Sequence, residues 1–294
     1  MSEGSQIIAM SGASGFVGSI LRSKFEQQGW QVRILGRAEF SKQPEDLAQF
    51  LQGVDGIVNL AGAPVISRWT EEYKKIMYQS RVTLTGKLVS ACALLKIPPR
   101  VFLSASAIGC YSTSGTHSEE SQLLVHDFLG NLVRDWEHEA FRARELGIRT
   151  AVFRFGVVLG PEGGALAKML TPFKLGLGGK IGTGLQPFSW IHVQDLAMVF
   201  EQALTDSTYE GIYNLTAPNP TTNAGLTKAL SRALSRPAIL PVPEFVLRIL
   251  FGEGAQVLTS GQTHYPKDFW TEGSTLPSPA SKRPFSTVRQ NNSL

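Results

Sequence analysis

The chain has 294 residues, 43% hydrophobic and 18% charged, a balance that excludes an intrinsically disordered protein and allows one large domain or a large and a small one. Three of its four excess positive charges, Lys282, Arg283 and Arg289, stand after Gly273 with no acidic residue among them, so the basic pI belongs to the tail and lends no support to a nucleic-acid surface. Two cysteines, Cys92 and Cys110, no apolar run long enough for a bilayer and no secretory start in MSEGSQ predict a cytoplasmic protein without disulfides, metal or membrane partner.

Gln6–Met10 (QIIAM) reads as a short buried strand that runs into Gly12-Ala13-Ser14-Gly15-Phe16-Val17-Gly18. A helical pattern follows at once, with Val17, Ile20, Leu21 and Phe25 on one face and Gly29 placed to end it. Strand, glycine turn and helix in this order cradle the pyrophosphate of a dinucleotide. Gly12 permits the tight turn, Gly15 lets the backbone approach the phosphates, and Gly18 lets the helix sit close to the sheet. The helix N-terminus, with Ser14, Phe16 and Val17, then faces the anion.

Gln31–Leu35 alternates like a strand and leads to Gly36-Arg37; Leu47–Leu51 is a short helix. Gly56–Leu60 is a buried strand whose end, Leu60-Ala61-Gly62, approaches the cofactor. Trp69 to Leu95 reads as one long helical stretch stopped by Pro98-Pro99. Val101–Leu103 is the next strand and ends in Ser104-Ala105-Ser106. Phe128 to Leu146 is helical with Gly147 as its cap, and Thr150–Phe155 is a strand. Apolar strands alternating with helices predict an α/β fold, a doubly wound parallel sheet covered on both faces.

From Gly160 onward glycine is dense, through Gly163, Gly164, Gly176, Gly178, Gly179, Gly182 and Gly184, which predicts loop and turn in place of core helix. Trp190–Val193 resembles a strand, a helix runs from about Asp195 to Leu204 with Asp195 as its cap, and Gly211–Leu215 is a further strand. Pro218–Thr222 is a loop, and two helical patterns follow it.

The residue at the end of the second strand selects the cofactor in such a fold, because an Asp or Glu bonds the ribose 2′-hydroxyl of NAD and an Arg accommodates the 2′-phosphate of NADP. Arg37 stands there, 19 residues after Gly18, with no carboxylate before Glu39. The expected cofactor is NADP(H), since a guanidinium pairs with phosphate in a forked geometry.

At this point the residues resemble the extended short-chain dehydrogenases/reductases, and within them the atypical "epimerase family" subgroup. The likeness is carried by Gly12-x-x-Gly15-x-x-Gly18, Asn59-Leu60-Ala61-Gly62, Arg68-Trp69, Ser80-Arg81, Ser104 to Gly109, Trp136-Glu137, Arg154 to Gly160, Trp190-Ile191-His192-Val193-x-Asp195-Leu196 and Tyr213-Asn214-Leu215. It implies a Rossmann-type cofactor domain over residues 1–160, with 188–216 returning to it, and a smaller substrate lobe from 161 on. It also implies action on a small or nucleotide-linked carbonyl or sugar substrate, by oxidoreduction or epimerisation. Ser104 and Arg154, at their strand ends, fall on the cofactor side in this comparison, and a homodimer is the expected assembly.

The usual site of that family holds a Ser, plus a Tyr and a Lys four residues apart; the Tyr is the acid/base and the Lys lowers its pKa. Ser106 matches the Ser. The pair falls on Leu129 and Val133, or one residue earlier on Phe128 and Leu132, and none of these titrates. The subgroup it resembles commonly lacks the pair too. Tyr111, in the loop after the serine strand, is the substitute acid/base candidate, provided its pKa is lowered; Asp127 and His117 lie in the same region. Cys110 reads as an apolar filler and His192 as a structural histidine. Arg68, Trp69 and Arg81 read either as binders of an anionic or aromatic substrate or as a packed helix start. Without the Tyr–Lys pair the rival to an enzyme is a non-catalytic NADP(H)-binding sensor or partner-binding protein. After Gly273 the family likeness stops in a Pro- and Ser-rich stretch that reads as a disordered tail over 274–294.

Overall fold

The computed structural model describes residues 6–122, 124–161 and 163–264. Strand β1 (Ile7–Ser11), helix α1 (Phe16–Gln27) and strand β2 (Gln31–Leu35) form the first unit, and helices α2 (Arg37–Phe40) and α3 (Pro44–Leu51) lead to β3 (Gly56–Asn59). Helix α4 (Glu71–Tyr78) passes through a π-helical turn, Gln79–Thr83, into α5 (Leu84–Ala93), and β4 (Val101–Ala107) follows. Next come β5 (Thr116–His117), α6 (Phe128–Phe141), β6 (Arg149–Phe155), β7 (Val157–Gly160), α7 (Gly164–Lys174), β8 (Pro187–Phe188), β9 (Trp190–His192), α8 (Val193–Thr205) and β10 (Gly211–Leu215). Strand β11 (Thr221–Thr222), helices α9 (Asn223–Leu234), α10 (Glu244–Phe251) and α11 (Gln256–Thr259), and β12 (Thr263–His264) complete the described chain.

Six strands form one sheet in the order β2-β1-β3-β4-β6-β10, and every neighbouring pair is parallel. This is the expected doubly wound Rossmann-type sheet. The winding reverses between β1 and β3, and the crevice outside the carboxyl ends of those strands is where open α/β sheets receive ligands. Alternate residues of each strand feed opposite faces, which is why the strands read as continuous apolar runs. Met10, Leu103 and Phe153 pack with Leu21 and Phe25 of α1 and Leu196 and Phe200 of α8. Ile57, Phe102 and Val152 pack with Leu47 and Leu51 of α3, Leu88 of α5 and Ala140 of α6. A third cluster, built on Leu166, Phe173, Trp190, Leu226 and Leu230, holds the smaller lobe.

Several expectations are corrected. The glycine-dense region after Gly160 contains an eleven-residue helix, α7, which the run Ala165-Leu166-Ala167-Lys168-Met169-Leu170 sustains; the glycines before it serve as its entry turn. Asp195 does not cap α8. The cap is His192, whose Nδ1 accepts the amide hydrogen of Gln194 at 3.2 Å, and Asp195 is buried in the first turn. The long helix after Trp69 is interrupted by the π turn at 79–83. The helix from Phe128 tightens at Arg142–Leu146 into a 3₁₀ turn that ends on Gly147 at φ +72°. The tail reading over 274–294 lies outside the described residues. Among the described residues no helix is long and apolar enough to cross a membrane.

Candidate functional site

The glycine turn is built on backbone contact. Gly12 has φ +69°, a conformation side chains resist, and a Cβ there would stand 2.8 Å from the carbonyl carbon and oxygen of Leu60. The Gly15 amide donates to the Gly12 carbonyl at 3.0 Å, and a Cβ at Gly18 would run into that same carbonyl. Ser11 Oγ donates to Asn59 Oδ1 at 2.7 Å and accepts the amides of Leu60 and Ala61, each at 3.1 Å, so one hydroxyl holds the β1 and β3 exits together. Ser14 and Gly15 remain exposed on the bare side of the turn. A cradle that a Cβ would fill, at the first residue of α1, fits the pyrophosphate of a dinucleotide.

Phe16 and Val17 offer that anion backbone only. The Val17 side chain packs against the first core cluster. The Phe16 ring is enclosed by Gly160, Gly163 and Gly164, where an added Cβ would come within 2.6–2.8 Å of ring carbons. Arg37 is exposed as the first residue of α2. Glu39, the nearest carboxylate in sequence, turns back to accept the Gly36 amide at 2.9 Å.

Below the sheet's carboxyl end lies a buried polar row. The strand registers place Ser11, Asn59 and Ser104 side by side, and Ser106, Arg154 and Asn214 side by side. Asn59 Nδ2 donates to Thr85 Oγ1 at 2.8 Å and to Ser104 Oγ at 3.4 Å, and Ser104 donates to the Ala105 carbonyl. Arg154 forks onto Glu137, Nε to Oε1 at 2.7 Å and Nη2 to Oε2 at 2.6 Å, while its Nη1 donates to the Tyr111 hydroxyl at 2.6 Å. Tyr111 donates onward to Asn214 Oδ1 at 3.0 Å, and Ser106 Oγ donates to Glu137 Oε1 at 2.5 Å. Burial would pull the Arg154 pKa down, but the Glu137 hydrogen bonds and charge outweigh it and hold the guanidinium above its usual range. Because a carboxylate only accepts, the single proton of Ser106 is committed to Glu137.

One site expectation is corrected by this row. Tyr111 is fully buried, stacked on His117 with ring centroids 5.1 Å apart, and burial pushes its pKa up despite Arg154, so it is neither a lowered-pKa acid nor placed to meet a nicotinamide. Ser104 is fully buried and Arg154 is 5% exposed, and both make their hydrogen bonds inside the row. Ser106 is 3% exposed and joins the row through its bond to Glu137.

Several further candidates are engaged in the fold. Asp127 caps α6 by accepting the Gly130 amide at 2.9 Å. His117 is buried and its Nε2 donates to the Ser112 carbonyl at 2.9 Å. Cys110 is fully buried and its thiol is pushed up to about 12, chiefly by burial, which fits an inert filler. Val133 packs beside Tyr111, and Leu132 and Leu129 pack with Trp69 and Trp136. Trp69 donates its indole N–H to the Val65 carbonyl and meets Phe128 edge-on at 5.5 Å, while Arg68 reaches the Ile249 carbonyl. The residue that sequence reasoning left without a role is Glu137. Its signal was spacing: it stands four residues after Val133, on the same face of α6 as the missing Tyr–Lys pair.

The model of the NAD dependent epimerase/dehydratase family matches residues 8–216, from β1 to the end of β10. The chain belongs to that family. Within it the chain is similar to Epimerase family protein YfhF of Bacillus subtilis, 38% identical over 280 residues that cover 90% of this chain and 92% of the relative. It is also similar to the chloroplastic SDR39U1 homolog of Arabidopsis thaliana, 37% identical over 282 residues, 90% of this chain and 81% of that one. Among solved structures, human epimerase family protein SDR39U1 (isoform 2), crystallised with NADPH, matches with a TM-score of 0.86 at 32% identity, over 97% of this chain and 100% of the human one. These likenesses place this epimerase-family chain with the atypical short-chain dehydrogenases/reductases.

Proposed function

We propose that this chain binds NADP(H) and acts as an oxidoreductase or epimerase on a small or nucleotide-linked carbonyl or sugar substrate. The observation that carries the cofactor choice is Arg37, exposed at the β2 exit beside a carboxylate that is already bonded to Gly36. The Gly12–Gly18 turn would hold the pyrophosphate, and Arg37 would pair with the 2′-phosphate. The bound dinucleotide supplies or accepts hydride. For the substrate, Ser106 offers oxygen lone pairs, since its proton is held by Glu137; it therefore receives a hydroxyl or N–H and orients it. A human relative crystallised with NADPH supports the same reading.

A second reading, a non-catalytic NADP(H)-binding sensor, is favoured by one observation: Leu129 and Val133 occupy the acid/base positions, and neither carries a proton to transfer. Fluorescence titration of the full chain tests the cofactor. Arg37→Asp is expected to weaken NADPH by about 1.5–3 kcal/mol, the range of a charge-assisted hydrogen bond, and to leave NADH little changed; equal losses would refute the role of Arg37. Oxidation of NADPH against a carbonyl panel, or reduction of NADP⁺ against an alcohol panel, abolished by Ser106→Ala, supports the enzyme. Tight binding with no turnover across both panels supports the sensor.

A further inference from the structure

Two arginines lie buried near the sheet's carboxyl end, and they are treated differently. Arg154 is held by a forked carboxylate. Arg81 is 8% exposed, yet among the described residues no Asp or Glu pairs with it. Its guanidinium donates to two neutral carbonyls, Ala63 at 2.8 Å and Met77 at 3.4 Å, and stands 5.5 Å from the Trp136 ring. Burial draws its pKa down to about 10, so it is a cation at neutral pH. A charge taken out of water without a counter-ion is strongly unfavourable unless something compensates it.

Its placement is specific. Arg81 is the middle residue of the π turn Gln79–Thr83, an arrangement often found at functional sites. The loop leaving β3 is clamped to this turn at Ala63, whose amide donates to Ser80 Oγ at 3.0 Å and whose carbonyl accepts from Arg81. Directly over the guanidinium lies exposed Gly62, where a Cβ would stand 2.9 Å from Cζ and Nη2. Any side chain there would cover the cation. The same loop abuts Gly12 through Leu60 and Ala61, which puts Arg81 on the β3 flank of the dinucleotide cradle. Among the described residues two of its five N–H groups are bonded, and the planar fork has donors left for two oxygens of one anion.

We propose that Arg81 is the receptor for an anionic group, a carboxylate or phosphate, on the molecule bound beside the dinucleotide. Naming that molecule as the substrate rests on the function proposed above; the anion site itself does not. Thermal unfolding of the full chain tests it at fixed ionic strength in chloride, then with inorganic phosphate or acetate, each with and without NADPH. Phosphate or acetate is expected to raise the wild-type Tm by about 2–4 °C, with NADPH bound or absent.

Arg81→Met is expected to keep or raise Tm in chloride, because it removes an uncompensated buried charge, and to lose the anion shift; Arg81→Lys keeps part of it. With NADPH bound, so that the glycine turn and Arg37 are filled, an anion shift that persists in Arg81→Met overturns the proposal. So does a wild type with no anion shift together with an Arg81→Met protein that melts lower in chloride, which would make Arg81 a loop clamp. If NADPH abolishes the anion shift, the group belongs to the cofactor and the substrate assignment falls. If NADPH fails to bind while the shift remains, the cofactor reading fails and the anion site stands.

Discussion

Glu137 is the residue on which the buried row depends. It takes two bonds from Arg154 and the proton of Ser106. Removing one partner of such a pair leaves the other charge buried alone. Glu137→Ala should therefore cost about 3–5 kcal/mol of stability, whereas Glu137→Met with Arg154→Met should cost far less; urea denaturation of the single and double variants measures both. The same residue marks the limit of sequence reading. Ser106 was legible because a serine at a strand end next to a glycine cradle fits a familiar pattern. What the serine does depends on which side chain receives its proton, and that is set by the register of β4 against β6 and by the face of α6, neither of which a linear motif records. Tyr111 misled for the converse reason: a tyrosine in a loop after the serine strand looks available, and only the packing of His117 and His264 around it shows that it is core.

At the scale of elements, periodic strands and helices were readable and their interruptions were not. Gly12, Gly15 and Gly18 announced the β1–α1 turn because each meets backbone at close range, Gly15 and Gly18 that of Gly12 itself and Gly12 that of Leu60 at the β3 exit. The π turn at 79–83 had no such signal; it lies inside an unbroken helical pattern and is visible only through the backbone. Helix α7 was hidden by counting glycines without asking where they fall, since Gly163 stands just before the helix, Gly164 opens it and Gly176 follows it. Caps give a clean test of element-level reasoning. Asp127 lies between the serine strand and α6 and looked like a spare acid, but its carboxylate is bonded to the Gly130 amide. Asp127→Ala should lower stability by about 1 kcal/mol and Asp127→Asn by less, with NADPH affinity unchanged in both. A loss of NADPH binding in the Asn variant would show that Asp127 reaches the cofactor.

Across the whole molecule, acid should act through a buried histidine. His264 pairs through β12 with β5 and lies fully buried against Tyr111 and His117. Burial first, and then the nearby His117 and Arg154, bring its pKa down to about 3. The unfolded chain takes up this proton near the ordinary value of about 6.5, so between those two values it binds more protons than the folded protein. Stability must then fall as pH drops from about 6.5 towards 3. His264→Phe should flatten that limb of a Tm-against-pH curve, and an unchanged slope would mean another group sets it. The ring of Phe16 has a consequence of a different kind. It belongs to the cradle by sequence, yet it lies against Gly160, Gly163 and Gly164 at the threshold of the smaller lobe. Any version of the sheet from which the 160–164 segment is cut would carry this phenyl group bare beside its nucleotide site, and a chimera that replaces that segment must bring three side-chain-free positions with it or find the doorway blocked.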